Sequence, residues 1–414
     1  MRKKLLLIGA TTGYQTRAFA EAAERLGFDL LLATDRCHVL EDPWGDRALP
    51  LRFEDPEGAA WAIAENVRVD GIVAVGDRPA YLAALAAERM GIRYNSPDSV
   101  QACRNKFIAR ARFRAAGLLV PNFRRFVAKA GQGAGRRSGD LPHTDVAFPC
   151  VLKPLGLSAS RGVIRANNAE EFVAAFRRIE ALLESPDIQR LHEELDRFIQ
   201  VEDFIPGREF ALEGILTNGS LRVFAIFDKP DPLDGPYFEE TIYVTPSREA
   251  PETQHSIVRT CEKALQALGL SHGPIHAEMR VNSKGVWMLE VAARPIGGLC
   301  ARVLPGLEEL ILRHAAGEDV SNIKLLEGAA GAMMIPIPRE GIYIGVVGVE
   351  QAQARVEEVI ITAKEGQKLV PLPEGNSYLG FIFAHGKSSG EVEQALRSAH
   401  ECLSFEFATA LPVI

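Results

Sequence analysis

"VWMLEVAARPIGG", residues Val286 to Gly298, joins an apolar run to a carboxylate, an arginine and two glycines. The run Val286–Leu289 has the character of a buried strand. Glu290 follows it directly, and Arg294 stands four residues later. A charge at the end of a buried strand is costly unless something pairs with it or binds it. Upstream, across the "NSKG" turn, a second apolar strand, "IHAEMRV", carries Glu278. Counting outward from the turn sets Glu278 and Glu290 near each other across a hairpin. Two inward carboxylates repel unless a proton or a cation is shared. Oxygen ligands and hard charge point to Mg²⁺, which binds one or two carboxylates plus substrate phosphates. Arg294 is then placed to neutralise charge developing on a transferring phosphoryl group.

Further out, two lysines stand where an anion is needed. Lys106 begins a helix after "CRN", and Lys153 ends the apolar strand "FPCVLKP". A lysine at the end of a buried strand requires an anionic partner. The loop that follows, "PLGLSASRGV", has small residues, hydroxyls and two glycines, so backbone N–H groups can approach phosphate oxygens. A flexible hairpin beside a structural ion pair is the plainer reading of that segment alone. In "QVEDFIPGREF", Glu202 and Asp203 end a strand, Phe204 and Ile205 are apolar, and Glu209 opens the next strand. Such a hinge can hold a purine base, with Glu209 on ribose hydroxyls; a hairpin with solvent-facing acids is the alternative. His272 and His276 have the His-x-x-x-His spacing of a helical zinc site, but Gly273-Pro274 between them excludes a helix. His276 is then a core histidine or a residue at the site's edge.

The flanking segments set the architecture. Residues 1 to about 100 alternate apolar strands with amphipathic helices, as in "KKLLLIGA", "YQTRAFAEAAERLG", "FDLLLAT" and "DGIVAVG", which implies a Rossmann-like parallel sheet. Ligands of such sheets sit at the carboxyl ends of strands, here "GATTGYQT" and "VGDRPA". The first is not a Gly-x-Gly-x-x-Gly fingerprint, which argues against a nicotinamide dehydrogenase. From 147 to 320 strands are grouped in hairpins, with turns at Asn218-Gly219 and Asn282–Gly285, and helices pack on one side in an α+β arrangement. The last 85 residues or so are mixed, rich in strands, and end in a helix, "SSGEVEQALRSAHECL".

Composition narrows the function classes. The 414 residues suffice for two to four domains, and the net charge of −7 argues against nucleic acid as a partner. Ten Lys/Arg and no Asp/Glu between Arg104 and Arg137 make a basic block, read as a surface for polyphosphate plus ordinary solvated helix. "GQGAGRRSGD" within it reads as a mobile loop. No apolar run reaches the ~20 residues needed to cross a bilayer, and the N-terminal apolar stretch is too short for a signal peptide. Six scattered cysteines form no Cys-x-x-Cys pair, which suits a reduced, cytoplasmic setting.

Taken together, Lys106, Lys153 with its loop, Glu202–Ile205, Glu209, Glu278, Glu290 and Arg294 resemble the ATP-grasp superfamily in order and spacing over nearly the whole chain. "RPIGG" and the tail from "IPIPREGIY" to "GFIFAHG" look most like the branch of L-amino-acid (dipeptide) ligases. The resemblance implies a Rossmann-like domain over 1–100 and an ATP-grasp domain over 101–328. The latter has a small lobe near 120–205 and a larger lobe near 206–328, and a strand-rich domain follows over 329–414. It implies that Lys106 and Lys153 bind ATP phosphates under the loop with Ser158, Ser160 and Gly162. Glu202, Asp203, Phe204 and Ile205 would hold adenine, and Glu209 ribose. Glu278 and Glu290 would ligate Mg²⁺, or Mn²⁺ in its place, and Arg294, with Lys153, would act in catalysis. The implied chemistry converts a small-molecule carboxylate into an acyl phosphate that an amine then attacks, and homodimers are common among such relatives. A metal-completing Asn of many members is here Ala292. That departure gives standing to a nucleotide-binding regulatory protein without turnover. "DKPDPLDGPYFEETIYVTPS" reads as part of the acceptor pocket, with Tyr237, Phe238 and Glu240 near substrate, while Gly297 and Gly298 would offer N–H groups to a carboxylate.

Overall fold

The computed structural model describes residues 2–10, 15–35, 48–128, 146–190 and 193–408, and all elements below belong to those residues. The "GQGAGRRSGD" segment and part of "GATTGYQT" lie outside them.

The N-terminal unit contains β1 (Lys4–Gly9), α1 (Thr16–Leu26), β2 (Asp29–Thr34), β3 (Ala48–Pro50), α2 (Pro56–Asn66), β4 (Gly71–Val75) and α3 (Asp77–Met90). Its strands form a parallel sheet in the order β3-β2-β1-β4. Leu5 to Ile8 have no exposed surface, which is why β1 reads as an unbroken apolar run, covered on both faces. Helices α4 (Pro97–Arg104) and α5 (Lys106–Ala115) then lead out of this unit. Between them Asn105 turns the chain and caps α5, accepting from the N–H groups of Phe107 and Ile108, both at 3.1 Å.

A small lobe follows. It has β5 (Phe123–Val127), β6 (Cys150–Pro154), β7 (Ile164–Ala166), α6 (Ala169–Leu183), α7 (Pro186–Gln189) and β8 (Phe198–Asp203), with antiparallel order β5-β8-β6-β7. Helix α6 starts where Asn168 accepts from the Glu171 N–H and the Glu171 carboxylate reaches back to the Asn167 N–H. Its Phe172, Phe176 and Ile179 are fully buried against the sheet.

The large sheet begins with β9 (Arg208–Thr217), β10 (Ser220–Lys229), β11 (Ile242–Thr245), β12 (Gly273–Asn282) and β13 (Gly285–Ala292), with α8 (Pro251–Leu268) and α9 (Leu307–Ala315) beside it. Asn218 and Gly219 both take positive φ, 53° and 83°, as the tight β9–β10 hairpin requires. The last part has β14 (Ala329–Ile335), β15 (Gly341–Val347), α10 (Val349–Gln353), β16 (Glu358–Ile361), β17 (Lys368–Leu369), β18 (Gly380–Gly386), α11 (Ser389–His400) and β19 (Ser404–Ala408). Strands β14, β18 and β16 extend the large sheet, whose order is β13-β12-β9-β10-β11-β14-β18-β16, so one sheet runs through residue 328. A second, small sheet is ordered β17-β15-β19.

One expectation is corrected here. Among the described residues the last element is not the helix expected over 388–403: α11 spans Ser389–His400, and Ser404–Ala408 then forms a strand against β15. "SFEF" alternates apolar and polar with period two, which fits a strand with one face packed.

Candidate active site

Strands β12 and β13 pair with Glu278 directly opposite Glu290, and a bulge follows at once. Side chains alternate along a strand. Ala277 and Met279 enter the core on one face, leaving His276, Glu278 and Arg280 on the other. Strand β9 adds Glu209 and Glu213 to that second face, and β10 adds Lys229 at its end. The site is thus a polar face of the large sheet, built by strands whose opposite face is apolar.

Lys229 is the hub of this face, with its side chain 3% exposed. Its ammonium donates to Glu209 at 2.9 Å, to Glu278 at 3.1 Å and to Glu240. Burial alone would lower its pKa; three carboxylates outweigh burial and raise it well above the usual value. Glu209, Glu240 and Glu278 have oxygens close enough together to hold a cation, and the Lys229 ammonium fills that cup. Burial pushes Glu240 up to about 7, Lys229 pulls it down, and the neighbouring Glu278 and Glu209 add to the rise.

His276 lies between Glu213, 3.0 Å from Nδ1, and Glu278, 3.3 Å from Nε2. Burial would lower its pKa, but these two hydrogen-bonded carboxylates lift it to about 9, so the ring is an imidazolium at neutral pH. The hydrogen bonds to Glu278 from Lys229, His276 and Tyr243 all reach Oε1. Burial is outweighed there too, by Lys229 and His276, and Glu278 stays ionised. Glu290 is half-buried and makes no hydrogen bond or ion pair among the described residues. One oxygen of Glu278 and the whole Glu290 carboxylate are therefore available to a hard cation. Ala292, 4% exposed, offers no ligand.

Arg294 grips Asp77 at the start of α3, with Nε to Oδ1 at 2.8 Å and Nη2 to Oδ2 at 3.2 Å. Burial would raise the Asp77 pKa, but the guanidinium more than offsets it. Asp77 belongs to "VGDRPA" at the carboxyl end of β4, where a parallel sheet presents ligand-binding groups. The glycines after Arg294 differ. Gly298 has φ +63° and a Cβ there would stand 3.3 Å from the Phe381 ring, whereas Gly297 has open space up to Arg294.

The basic and hinge residues form a second group. Glu202, 2% exposed at its side chain, pairs with Arg110 at 2.7 Å and Lys153 at 2.6 Å. Burial would raise its pKa; Arg110 and Lys153 bring it to about 2. For Lys153, burial lowers the pKa and Glu202 opposes that, with a net lowering. Lys106 donates to the Leu157 carbonyl at 2.7 Å. Within the described part of the basic block, Arg104 pairs with Glu193, Arg110 with Glu202 and Arg112 with Asp98. In the loop after Lys153, Ala159, Ser160 and Gly162 all have positive φ, a conformation that turns successive N–H groups toward one side. At the hinge, Asn122 donates to the Asp203 carboxylate at 2.6 Å, Phe204 donates its N–H to Pro149, and the Ile205 carbonyl accepts from Arg280 at 2.7 Å. Glu209 is shared between Lys229 and Arg280. The Arg280 guanidinium also lies against both the Phe204 and Phe238 rings, 5.3 and 5.7 Å from their centroids. Tyr237 faces the small lobe, its hydroxyl accepting from Arg178.

The structure therefore gathers His276, Glu278, Glu290, Glu209 and Glu240 on one face, with Arg294 at its end. Lys106, Lys153, Ser158, Ser160 and Gly162 cluster at the small lobe. Sequence reasoning missed Lys229, Asp77, Arg110 and Glu213. Lys229 had a signal, a lysine closing an apolar strand, the pattern that singled out Lys153. Nothing local ties Asp77 to an arginine 217 residues away.

Residues 146–303 match the family model of the ATP-grasp domain, and residues 333–408 match L-amino acid ligase C-terminal domain 2. The crystal structure of an L-amino acid ligase from Bacillus licheniformis aligns over 99% of this chain and 100% of that one, with TM-score 0.79 and 27% identity. The alanine–anticapsin ligase of Bacillus subtilis is 27% identical over 59% of this chain. An ATP-grasp enzyme of Aspergillus fumigatus, fsqD, is 24% identical over 72%. The match spans 56% of the length of each of these two relatives. Among the described residues no helix is long and apolar enough to cross a membrane. Residues 146–303 thus form an ATP-grasp domain, and residues 333–408 carry the C-terminal domain 2 of the L-amino acid ligases.

Proposed function

We propose that this protein is an ADP-forming ligase that joins a small-molecule carboxylate to an amine, with amino acids as the class of substrate on both sides. One observation carries the reading: Glu278 and Glu290 stand opposite each other with free carboxylate oxygens, and four residues after Glu290 comes an arginine held by a half-buried ion pair. This donor set suits Mg²⁺, which supplies charge neutralisation for the phosphates when bound. The Lys106 and Lys153 ammonium groups and the backbone N–H groups of Ser158, Ala159 and Ser160 bind the ATP phosphates. The hinge Glu202–Ile205 receives the base, and Glu209 a ribose hydroxyl.

In the first step a carboxylate oxygen of the acid attacks the γ-phosphorus of ATP. The bond from that phosphorus to the β–γ bridging oxygen breaks, and ADP leaves with the electron pair. In the second, the amine nitrogen attacks the acyl carbon, the carbon–oxygen bond to phosphate breaks, and the amine gives up a proton. Arg294 is placed for the negative charge of the acyl phosphate and of the tetrahedral species that follows. Its anchor on Asp77 fixes the guanidinium before substrate arrives, so little reorganisation is needed at the moment of reaction. Glu240, on the segment 230–241, faces the same cluster and is suited to the ammonium of an amino acid substrate. Glu278 and Glu290 would hold the metal, and Ala292 in the place of an Asn leaves both carboxylates available to it.

Incubation of the protein with ATP, Mg²⁺ and pooled amino acids tests this directly. The expected result is phosphate release together with a product mass equal to two amino acids minus water. Nucleotide bound but no phosphate and no amide, across the whole pool, would sink the ligase reading and favour a binding protein.

A further inference from the structure

The loop Leu155–Val163 is held from two sides. From within, Lys106 bonds the Leu157 carbonyl. From outside, the hold comes from the C-terminal region, about 200 residues away in sequence. The Gly162 N–H donates to the Pro373 carbonyl at 2.8 Å, and Arg161 Nε donates to the Glu374 carbonyl at 2.7 Å. Arg178, on α6 of the same lobe, grips the Glu374 carboxylate with two nitrogens, the Nη2 contact being 2.8 Å. The segment that reaches over is itself tightly turned. Gly375 N–H donates to the Pro371 carbonyl at 2.9 Å, and a Cβ at Gly375 would fall 1.8 Å from the Val370 carbonyl oxygen. Glu374 is therefore presented by a rigid turn, not by a free strand of chain.

From these contacts we infer that Glu374 is a positioning residue: through Arg178 and Arg161 it latches the small lobe's loop down, from the C-terminal domain, over the place where the nucleotide phosphates bind. Two of the three contacts are to loop residues themselves, and the third fixes the helix behind the loop. Arg178 and Glu374 are 43% and 37% exposed at their side chains, so the pair is weakened by solvent and the expected effect is modest. A two-pronged guanidinium–carboxylate contact gives it definite geometry. The inference rests on the nucleotide reading given above, and the latch lies outside the cluster around Glu278 and Glu290.

The test is a double-mutant cycle on the full chain with ADP as the probe. ADP affinity and backbone hydrogen exchange over 155–163 are measured for the wild type, Glu374→Gln, Arg178→Met and the double variant. Binding of ADP by the wild type is the separate check on the nucleotide reading; its absence removes that reading and the latch together. The latch predicts about fivefold weaker ADP binding in each single variant, and a double variant no weaker than either single. Exchange should become faster in 155–163 and stay unchanged in β14 and β18. Wild-type affinity and exchange in Glu374→Gln, or fully additive losses in the double variant, would overturn it. General acceleration of exchange throughout the chain would also overturn it, since that marks a stabilising contact with no special hold on the loop.

Discussion

Arg294 shows how a single residue is prepared for chemistry. Its guanidinium is half-buried and kept charged by Asp77, so it presents a fixed positive charge to the end of the polar face. Arg294→Met should lower kcat of the ligation by about 10²–10³, the range for loss of one preorganised donor to a developing anion. Asp77→Asn keeps the contact but removes its charge, and should cost less. Steady-state kinetics on both variants checks the order: an equal or larger loss in Asp77→Asn would mean that the aspartate acts in some way other than holding Arg294. The pair also marks a limit of reading from sequence. Glu278, Glu290 and Arg294 were legible because a strand hairpin and a spacing of four bring them together locally. Asp77 was not, because only the tertiary fold sets the N-terminal unit against the hairpin.

Elements carry these residues into place. Helix α5 puts Lys106 at its first turn because Asn105 caps it. Asn105→Ala should destabilise the protein by about 1 kcal/mol, seen as a lower urea midpoint. It should also raise KM for ATP more than KM for the amino acids, because the first turn frays where Lys106 sits. A variant with equal changes in both constants would mean that the cap does not position Lys106. The segment 230–241 shows the same logic with three partners. Arg165 bonds the Asp234 carbonyl, Arg280 bonds the Leu233 carbonyl, and Arg397 of α11 pairs with Asp231. Small lobe, large sheet and C-terminal region thus all hold the segment that presents Glu240. The sequence signals for such a segment are its length and its Gly and Pro content, which show a connection and not its partners. The strand β19 was illegible for another reason: four residues of alternation follow a strong helical pattern, and the helical pattern dominated the reading.

At the scale of the whole molecule, the N-terminal unit and the large sheet meet at a buried histidine pair. The His272 and His314 rings stack with centroids 4.3 Å apart, Thr217 bonds His314 at 2.9 Å, and Asn95 accepts from the His272 N–H. Burial lowers both pKa values to about 4; for His272 the neighbouring His314 and Arg93 add to the effect, and for His314 Arg93 does. Both rings are therefore neutral when folded, while the unfolded chain binds protons at about 6.5. The stability held by keeping them neutral is complete above about pH 6.5 and is lost as pH falls toward 4. The loss should be of the order of a few kcal/mol for the pair. Urea midpoints from pH 7 to pH 4 should fall steeply in the wild type and less steeply in a His272→Asn/His314→Asn variant. Equal slopes would contradict the account. The parallel sheet, the hairpins and the facing of Glu278 and Glu290 were readable in advance, since periodicity and turn residues encode them locally. The single large sheet running on into β14, β18 and β16 was not, because strand order is a property of the assembled chain.

In the proposed ligation a carboxylate is activated by direct transfer of the γ-phosphoryl group. The most direct measurement supplies the pooled amino acids labelled with ¹⁸O in their carboxylates, together with ATP and Mg²⁺, and weighs the phosphate released. Each phosphate that accompanies an amide product should carry one ¹⁸O, because the oxygen that attacked phosphorus leaves with it. Amide formation with unlabelled phosphate, or label found in AMP instead, would contradict it.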